Sequence, residues 1–357
     1  MNTRVLTVDS TQPDPGVVEE AAVAIRAGKL VAFPTETVYG LGANALDAAA
    51  VERIFEAKGR PATDPLIVHI AHIGQLSVCA SQVPPAARKL GLAFWAGPLT
   101  IILPKKPQIP DSVTAGLPSV AVRVPSHRVA RALMEMAAVP VAAPSANRFS
   151  RPSPTTAGHV LADLAGRIDL VLDGGPTDIG LESTIVDFTV DPPVMRRPGG
   201  LTLEQIRSVV PEVVAVSQRG SAGVAQIAPG QLTRHYAPQA ELTLYVGAAG
   251  QAIGRVVADT RTLAARGDRI GILAPEEDLL ALAPALAPLA AAGRVTVQPY
   301  GARTDPARSA RELFAALRSL DGMGVAVILA IAIEADGLGL AVLDRLTRAA
   351  EGRVRMV

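Results

Sequence analysis

Between residues 29 and 200 the chain alternates short apolar runs with segments whose apolar residues recur every three or four positions, and this alternation constrains the fold most. The runs KLVAF, LIVHI, LTIILP, VAVRV, VPVAAP, DLVLD, STIVDF and PVMRR are five or six residues long, the length of a buried strand rather than of a helix. Helical patterns lie between several of them. PGVVEEAAVAIRAG sets Val17, Val18, Ala21 and Ile25 on one face and stops at Gly28, and DAAAVERIFEAKG starts at an Asp47 cap and carries Lys58 to its last turn beside Gly59. The reading is a mixed α/β domain over 1–211.

Near residue 212 the periodicity lapses into SQRGSAGVAQIAPGQLTRHYAPQ, so 212–238 reads as a linker or functional loop. Beyond it LTLYV, RIGILAP, RVTVQPY and VAVILAIAI alternate with helices such as DPARSARELFAALRSL. Four short strands separated by helices predict a smaller, parallel, doubly wound Rossmann-like α/β domain over 239–357.

Composition excludes several function classes. The 34 Lys+Arg balance 33 Asp+Glu to a net +1, so no broad basic field advertises nucleic acid or an anionic membrane, and any polyanion must meet a local patch. The single cysteine, Cys79, forbids an intrachain disulfide and a zinc-thiolate cluster. The N-terminal MNTRVLTVDSTQPDPG lacks the apolar core of a signal peptide, and VAVILAIAI is about half the ~20 residues that span a bilayer. A soluble, cytoplasmic protein with no membrane partner is the expectation.

The familiar short motifs are weak or missing. Gly40-x-Gly42-x-x-Ala45 sits behind a Pro-Thr-Glu-Thr loop rather than on a strand end, AGKL at 27–30 lacks the rest of a phosphate loop, and neither G-x-S-x-G nor H-E-x-x-H occurs. His69 and His72 have strand-end spacing and only Asp64 as a nearby carboxylate, which favours a role other than metal binding. The stronger signal is basic and hydroxyl residues recurring at strand ends. Lys58 and Arg60 precede one run, Arg123 sits among valines, Ser145 and Asn147 follow another run, and Arg196 and Arg197 close a fourth. Each arginine alone could serve a salt bridge to Glu36, Asp187 or Glu182; as a set beside glycine- and serine-rich turns they point to a shared polyanionic ligand.

Six ordered segments, FPTETVYGLGANA, KGRPATDPLIVHI, AVRVPSH, PSANRFSRPSPTTAGHV, ESTIVDF and RRPGG, closely resemble the YrdC-like threonylcarbamoyl-AMP synthases, and RHYAP with GLGLAVLDRLTRAA resembles the long, two-domain form of that family. The resemblance implies a twisted N-terminal domain with a concave basic cavity. It also implies an enzyme, a nucleotidyltransferase that converts L-threonine, bicarbonate and ATP to threonylcarbamoyl-AMP and pyrophosphate for modification of the tRNA adenosine beside the anticodon. By the same match, Lys58 and Arg60 are catalytic and contact ATP, Thr37, His69, Arg123, Ala143 and Ser183 hold threonine, and Asp64, Ser119, Ser145, Asn147, Arg197 and Tyr236 face ATP. Mg²⁺ is expected to arrive with ATP, no metal is expected on the side chains, and a partner that moves threonylcarbamoyl to tRNA and weak RNA binding are the further expectations. The opening loop would form one wall, with Gly40 and Gly42 letting backbone approach the ligand. Residues 212–238 would fold over the cavity as a lid.

Three positions depart from the family pattern: Asp64 and Asp344 replace asparagine, and APGQLTRHYAP lacks a lysine and a tyrosine. The competing reading is a double-stranded RNA-binding module that makes no adenylate, and an amino-acid clamp at Arg123 and Ser183 argues against it. A hydrogenase-maturation carbamoyl-adenylate enzyme is excluded by the missing zinc-finger cysteines.

Overall fold

The computed structural model describes residues 2–215, 226–228 and 235–357. Most of the expected linker therefore lies outside the described residues. The chain divides into two compact units, Met1–Phe149 with Ser153–Leu232, and Ser150–Pro152 with Thr233–Val357.

The first unit is built on an eleven-stranded mixed sheet. Its strands are β1 (Arg4–Thr7), β2 (Val31–Phe33), β3 (Gly40–Asn44), β4 (Ile67–His69), β5 (Leu99–Pro104), β6 (Ser119–Arg123), β7 (Val141–Ala142), β8 (Leu170–Asp173), β9 (Thr184–Asp187), β10 (Val194–Arg197) and β11 (Val214–Ala215). They lie in the order β1-β8-β2-β3-β7-β4-β6-β5-β9-β10-β11. Every apolar run of the sequence contributes a strand, although VPVAAP yields only two strand residues.

The helix Pro15–Arg26 begins where the Asp14 carboxylate accepts from the amides of Gly16 at 2.8 Å and Val17 at 3.0 Å, with proline in the first turn where no donor is needed. Its Val18, Ala21 and Ile25 pack with Phe33 of β2 and Leu133 of the helix Arg128–Ala137 in one buried cluster. The helix Ala48–Lys58 is capped by Asp47 and ends at Gly59, whose φ of 65° turns the chain without a Cβ clash.

One segment differs from the sequence reading. GLGAN is not a ligand-facing loop but strand β3, paired antiparallel with β2 as a hairpin. A Cβ at Gly42 would lie 2.8 Å from both Phe33 and Val141, so this glycine makes room for neighbouring side chains rather than for a ligand. At Gly40, too, the nearest neighbours are Phe33 and Ala143, which leaves only 34–39 as loop.

The second unit carries an all-parallel sheet of β12 (Glu241–Val246), β13 (Ile270–Ala274), β14 (Val295–Pro299), β15 (Val327–Ile331) and β16 (Val354–Met356), in the order β14-β13-β15-β12-β16. The chain moves from β12 outward to β14, then reverses through β15 to β16. Right-handed crossovers place helices reached in opposite directions on opposite faces. The helices Ala249–Ala265 and Glu276–Ala291 accordingly pack together, as do Pro306–Gly322 and Gly339–Ala349, giving the expected doubly wound form. The reading had four strands here. β16 is three residues long with an arginine at its centre, a pattern too short and polar to register as an apolar run, and it survives because it lies at the edge. No helix among the described residues is long and apolar enough to cross a membrane.

Candidate active site

The register of the first sheet gathers residues that are distant in sequence. β4 and β6 run parallel with His69 opposite Arg123, and β5 runs antiparallel to β6 with Thr100 opposite Arg123. β9 follows β5 in parallel and β10 returns beside it, which brings Ser183 and Arg197 to the same end. At that end Ser183 Oγ lies 2.7 Å from Thr100 Oγ1, and Arg197 donates to the Ser183 carbonyl through Nε at 3.1 Å and Nη2 at 3.0 Å. The turn RRPGG makes this approach possible, because a Cβ on Gly199 would come within 2.5 Å of the backbone at Glu182, Ser183 and Thr184. All of these side chains are buried.

A second group forms toward the amino end of β4. The αL turn at Gly59 separates Lys58 from Arg60. Lys58 Nζ donates to the carbonyls of Ser145, at 2.5 Å, and Asn147. Ser145 Oγ donates to Asn147 Oδ1 at 2.5 Å, so Lys58, Ser145 and Asn147 are knitted together. Arg60 donates to the carbonyls of Asp64 at 3.0 Å and Pro65 at 2.8 Å, and its guanidinium pairs with the Asp64 carboxylate at 3.0 Å. Ser119 begins β6, four residues from Arg123; at about 3.3 Å per residue the two are about 13 Å apart. Ala143, whose amide donates to Ile67, runs between the groups. The Arg60 group thus lies by the start of β4, and the Arg123–Ser183 group by the ends of β4 and β6.

The loop 34–39 supplies the remaining contacts. Thr35 Oγ1 is 2.8 Å from Thr37 Oγ1, which closes the loop on itself, and the Glu36 carboxylate reaches 2.7 Å from Arg123 Nη2. Glu36 was legible in the sequence only as a salt-bridge partner. Thr100 was not singled out at all, since a threonine in an apolar strand carries no signal until its neighbour across the sheet is known.

Electrostatics sharpen the picture. Burial, and then the Arg123 charge, push the His69 imidazole down to about 3, so it is neutral at pH 7 and serves as a hydrogen-bonding group rather than a cation. Burial also lowers His127. Arg196 is spent in a buried bond pair to Asp187, through Nε at 3.0 Å and Nη2 at 2.8 Å, which is the plain salt-bridge alternative for that residue. Elsewhere the pairing is incomplete: Glu36 Oε1 meets Arg123 Nη2 as an ion pair, but Glu36 Oε2 and Thr177 Oγ1 are buried with no hydrogen-bond partner. Each such group costs about 1–3 kcal/mol, a penalty that a bound polar ligand can remove.

Two further expectations have particular placements. Among the described linker residues, the Gln226 amide donates to Thr63 at 3.0 Å, and Ala228 is buried with Ile67, Ile102, Ala121 and Ile185 of the site-bearing strands. Tyr236 belongs to the second unit, with φ of 61° and its ring 5.4 Å from Phe314 and 5.1 Å from the Arg345 guanidinium. Asp344, where the resembling family has asparagine, pairs locally with Arg345 at 2.6 Å and Arg348 at 3.1 Å. No group of three potential metal ligands occurs among the described residues.

The sequence family described as telomere recombination matches residues 23–199, and that described as threonylcarbamoyl-AMP synthase, C-terminal domain, matches residues 201–351. The chain is 46% identical over 336 residues to a threonylcarbamoyl-AMP synthase of Pyrococcus abyssi, covering 94% of each chain. It is 43% identical over 353 residues to one of Bacillus subtilis, covering 98% of this chain and 97% of the relative. The crystal structure of P. abyssi Sua5 complexed with L-threonine superposes with a TM-score of 0.90 at 43% identity, covering 99% of this chain and 100% of that one.

Proposed function

This chain belongs to the threonylcarbamoyl-AMP synthase family, and from that premise we propose that it condenses L-threonine, bicarbonate and ATP to threonylcarbamoyl-AMP and pyrophosphate for tRNA modification. The observation that carries this reading is the pair of buried basic clusters along β4 and β6, Arg123 with Arg197 at one end and Lys58 with Arg60 toward the other.

The chemistry requires that arrangement. Threonine and bicarbonate form a carbamate, whose oxygen attacks the α-phosphorus of ATP while pyrophosphate leaves. Two anions are driven together, so charge neutralisation and alignment dominate the barrier. Arg123, flanked by neutral His69 and by Ser183, holds the threonine carboxylate, with Thr37 and Ala143 along the same path. Lys58 and Arg60, steadied by the carbonyls they already hold, face the phosphates, with Ser145, Asn147 and Ser119 on the nucleotide side. Ala228 seals the apolar part of the sheet, which shields the carbamate and the adenylate from water. The product passes to a partner that transfers threonylcarbamoyl to tRNA.

Mg²⁺ prefers several oxygen ligands in octahedral geometry. Among the described residues of the nucleotide cluster the carboxylate is Asp64, which is already paired with Arg60, so these residues do not fit an ion held by the protein alone. The ion enters on the triphosphate.

Pyrophosphate release measured with ATP plus threonine, bicarbonate or both tests the proposal. Release that needs both is expected, and equal release with either omitted would overturn it.

A further inference from the structure

The Glu36–Arg123 pair is not built like a structural salt bridge. A buried ion pair retained for stability normally has its remaining donors and acceptors satisfied, because unsatisfied ones add to the desolvation cost. Arg196 and Asp187, in the same sheet, meet that standard with two bonds at 3.0 and 2.8 Å. Glu36 and Arg123 do not. Both residues are 4% exposed and meet as an ion pair at 2.7 Å between Glu36 Oε1 and Arg123 Nη2, but the second carboxylate oxygen, Oε2, has no hydrogen bond. Arg123 Nε has only a long contact, 3.4 Å, to the Gly97 carbonyl. A buried carboxylate with one oxygen to spare, beside a buried guanidinium, complements a zwitterion, and an α-amino acid carries those two charges two bonds apart on one carbon.

Resting on the function proposed above, we infer that Glu36 is a catalytic residue that binds the α-ammonium of threonine and takes one of its protons, freeing the amine to attack bicarbonate while Arg123 holds the α-carboxylate. The proton balance is complete. The ammonium gives one proton to the Glu36 carboxylate, the nitrogen lone pair forms the bond to the bicarbonate carbon, and the hydroxyl leaves as water with a second N–H proton. The products are carbamate, water and protonated Glu36, which returns its proton to solvent after turnover. Glu36 is the carboxylate that pairs with Arg123. His69 is held neutral by burial and by Arg123, so it carries no negative charge with which to hold an ammonium. The charged or titratable groups around Glu36 are Arg123 on β6 and His127 just beyond it, which Asp178 in the loop after β8 also approaches, with His69 on β4 opposite Arg123.

The test compares the full-length protein with its Glu36→Gln variant, which keeps shape and removes the base. At pH 7, kcat/KM for threonine in pyrophosphate release should fall by about 10²–10⁴-fold, with ATP binding unchanged. The variant's rate should then climb about tenfold per pH unit toward pH 9, where solution supplies free amine, while the wild-type profile stays flatter. A variant with wild-type turnover, or with reduced turnover and an unchanged pH profile, overturns the assignment. A second measurement needs no variant: wild-type protein should bind L-threonine at least about tenfold more tightly than the isostere whose α-amino group is replaced by hydroxyl, and equal affinities overturn it. This comparison decides the matter if Glu36→Gln does not fold. Absence of turnover in the wild type would strike the proposed reaction, whereas turnover with an unaffected variant would strike Glu36 alone.

Discussion

Arg197 holds Ser183 from two directions: Nε and Nη2 donate to its carbonyl at 3.1 and 3.0 Å, and Nη2 also reaches its hydroxyl at 3.2 Å. The sequence resemblance puts Arg197 on ATP, and in the folded sheet its guanidinium also holds a residue expected to bind threonine. Arg197→Lys keeps the charge and loses the planar fork. Hydrogen bonds from a charged donor contribute about 1.5–3 kcal/mol, so the KM for threonine should rise by about 10- to 100-fold with ATP affinity little changed. Isothermal titration with each ligand checks this, and loss of ATP affinity alone would return Arg197 to the nucleotide.

Asp64→Asn should separate stability from binding. Removing one partner of a buried pair costs about 3–5 kcal/mol when the other charge is stranded. Arg60 retains the carbonyls of Asp64 and Pro65, which places the loss at the lower end of that range or below it. Thermal unfolding should therefore show a lower Tm, while ATP affinity holds or rises because a negative charge has left the phosphate corner. A magnesium titration adds a control: an increased Mg²⁺ requirement in the variant would mean that Asp64 ligates the ion directly.

His69 makes stability depend on pH in a defined window. Its folded pKa, about 3, lies below the unfolded value of 6.5, so the unfolded chain binds the extra proton between these limits. Stability from this group is present above pH 6.5 and is lost as pH falls toward 3. At pH 5 the loss is about 2 kcal/mol relative to pH 8, and His127, lowered in the same direction, adds to it. Urea unfolding at the two pH values, repeated on His69→Gln, should show the variant with a smaller acid loss. An identical loss in both proteins would place the effect elsewhere.

Ala228→Glu tests the seal. Ala228 lies fully buried among Ile67, Ile102, Ala121 and Ile185, where a carboxylate has no partner on the strand face. The segment should lift, and water should reach the adenylate. Pyrophosphate release is expected to continue while the ratio of threonylcarbamoyl-AMP recovered to pyrophosphate released falls. An unchanged ratio would remove the linker from any shielding role.

What the sequence determined by itself were the local features. The apolar runs became strands, Asp14 and Asp47 became caps, Gly59 became the left-handed turn that follows Lys58, and the ordered motifs announced the family, because each depends on residues within a few positions of one another. Pairing across the sheet was decided only by the tertiary structure. GLGAN carries no strand propensity and becomes β3 because Phe33 and Val141 occupy the space beside its glycines. Thr100, Arg123 and Ser183 meet through register between strands far apart in the chain, and Arg196 and Arg197, adjacent in sequence, part company at a register shift between Met195 and Arg197, Arg196 going to Asp187 and Arg197 to Ser183. Glu36 is a further case. Its partner Arg123 is far away in the chain, and the burial that leaves Oε2 without a hydrogen bond is a property of the packed sheet and loop, which no stretch of sequence contains.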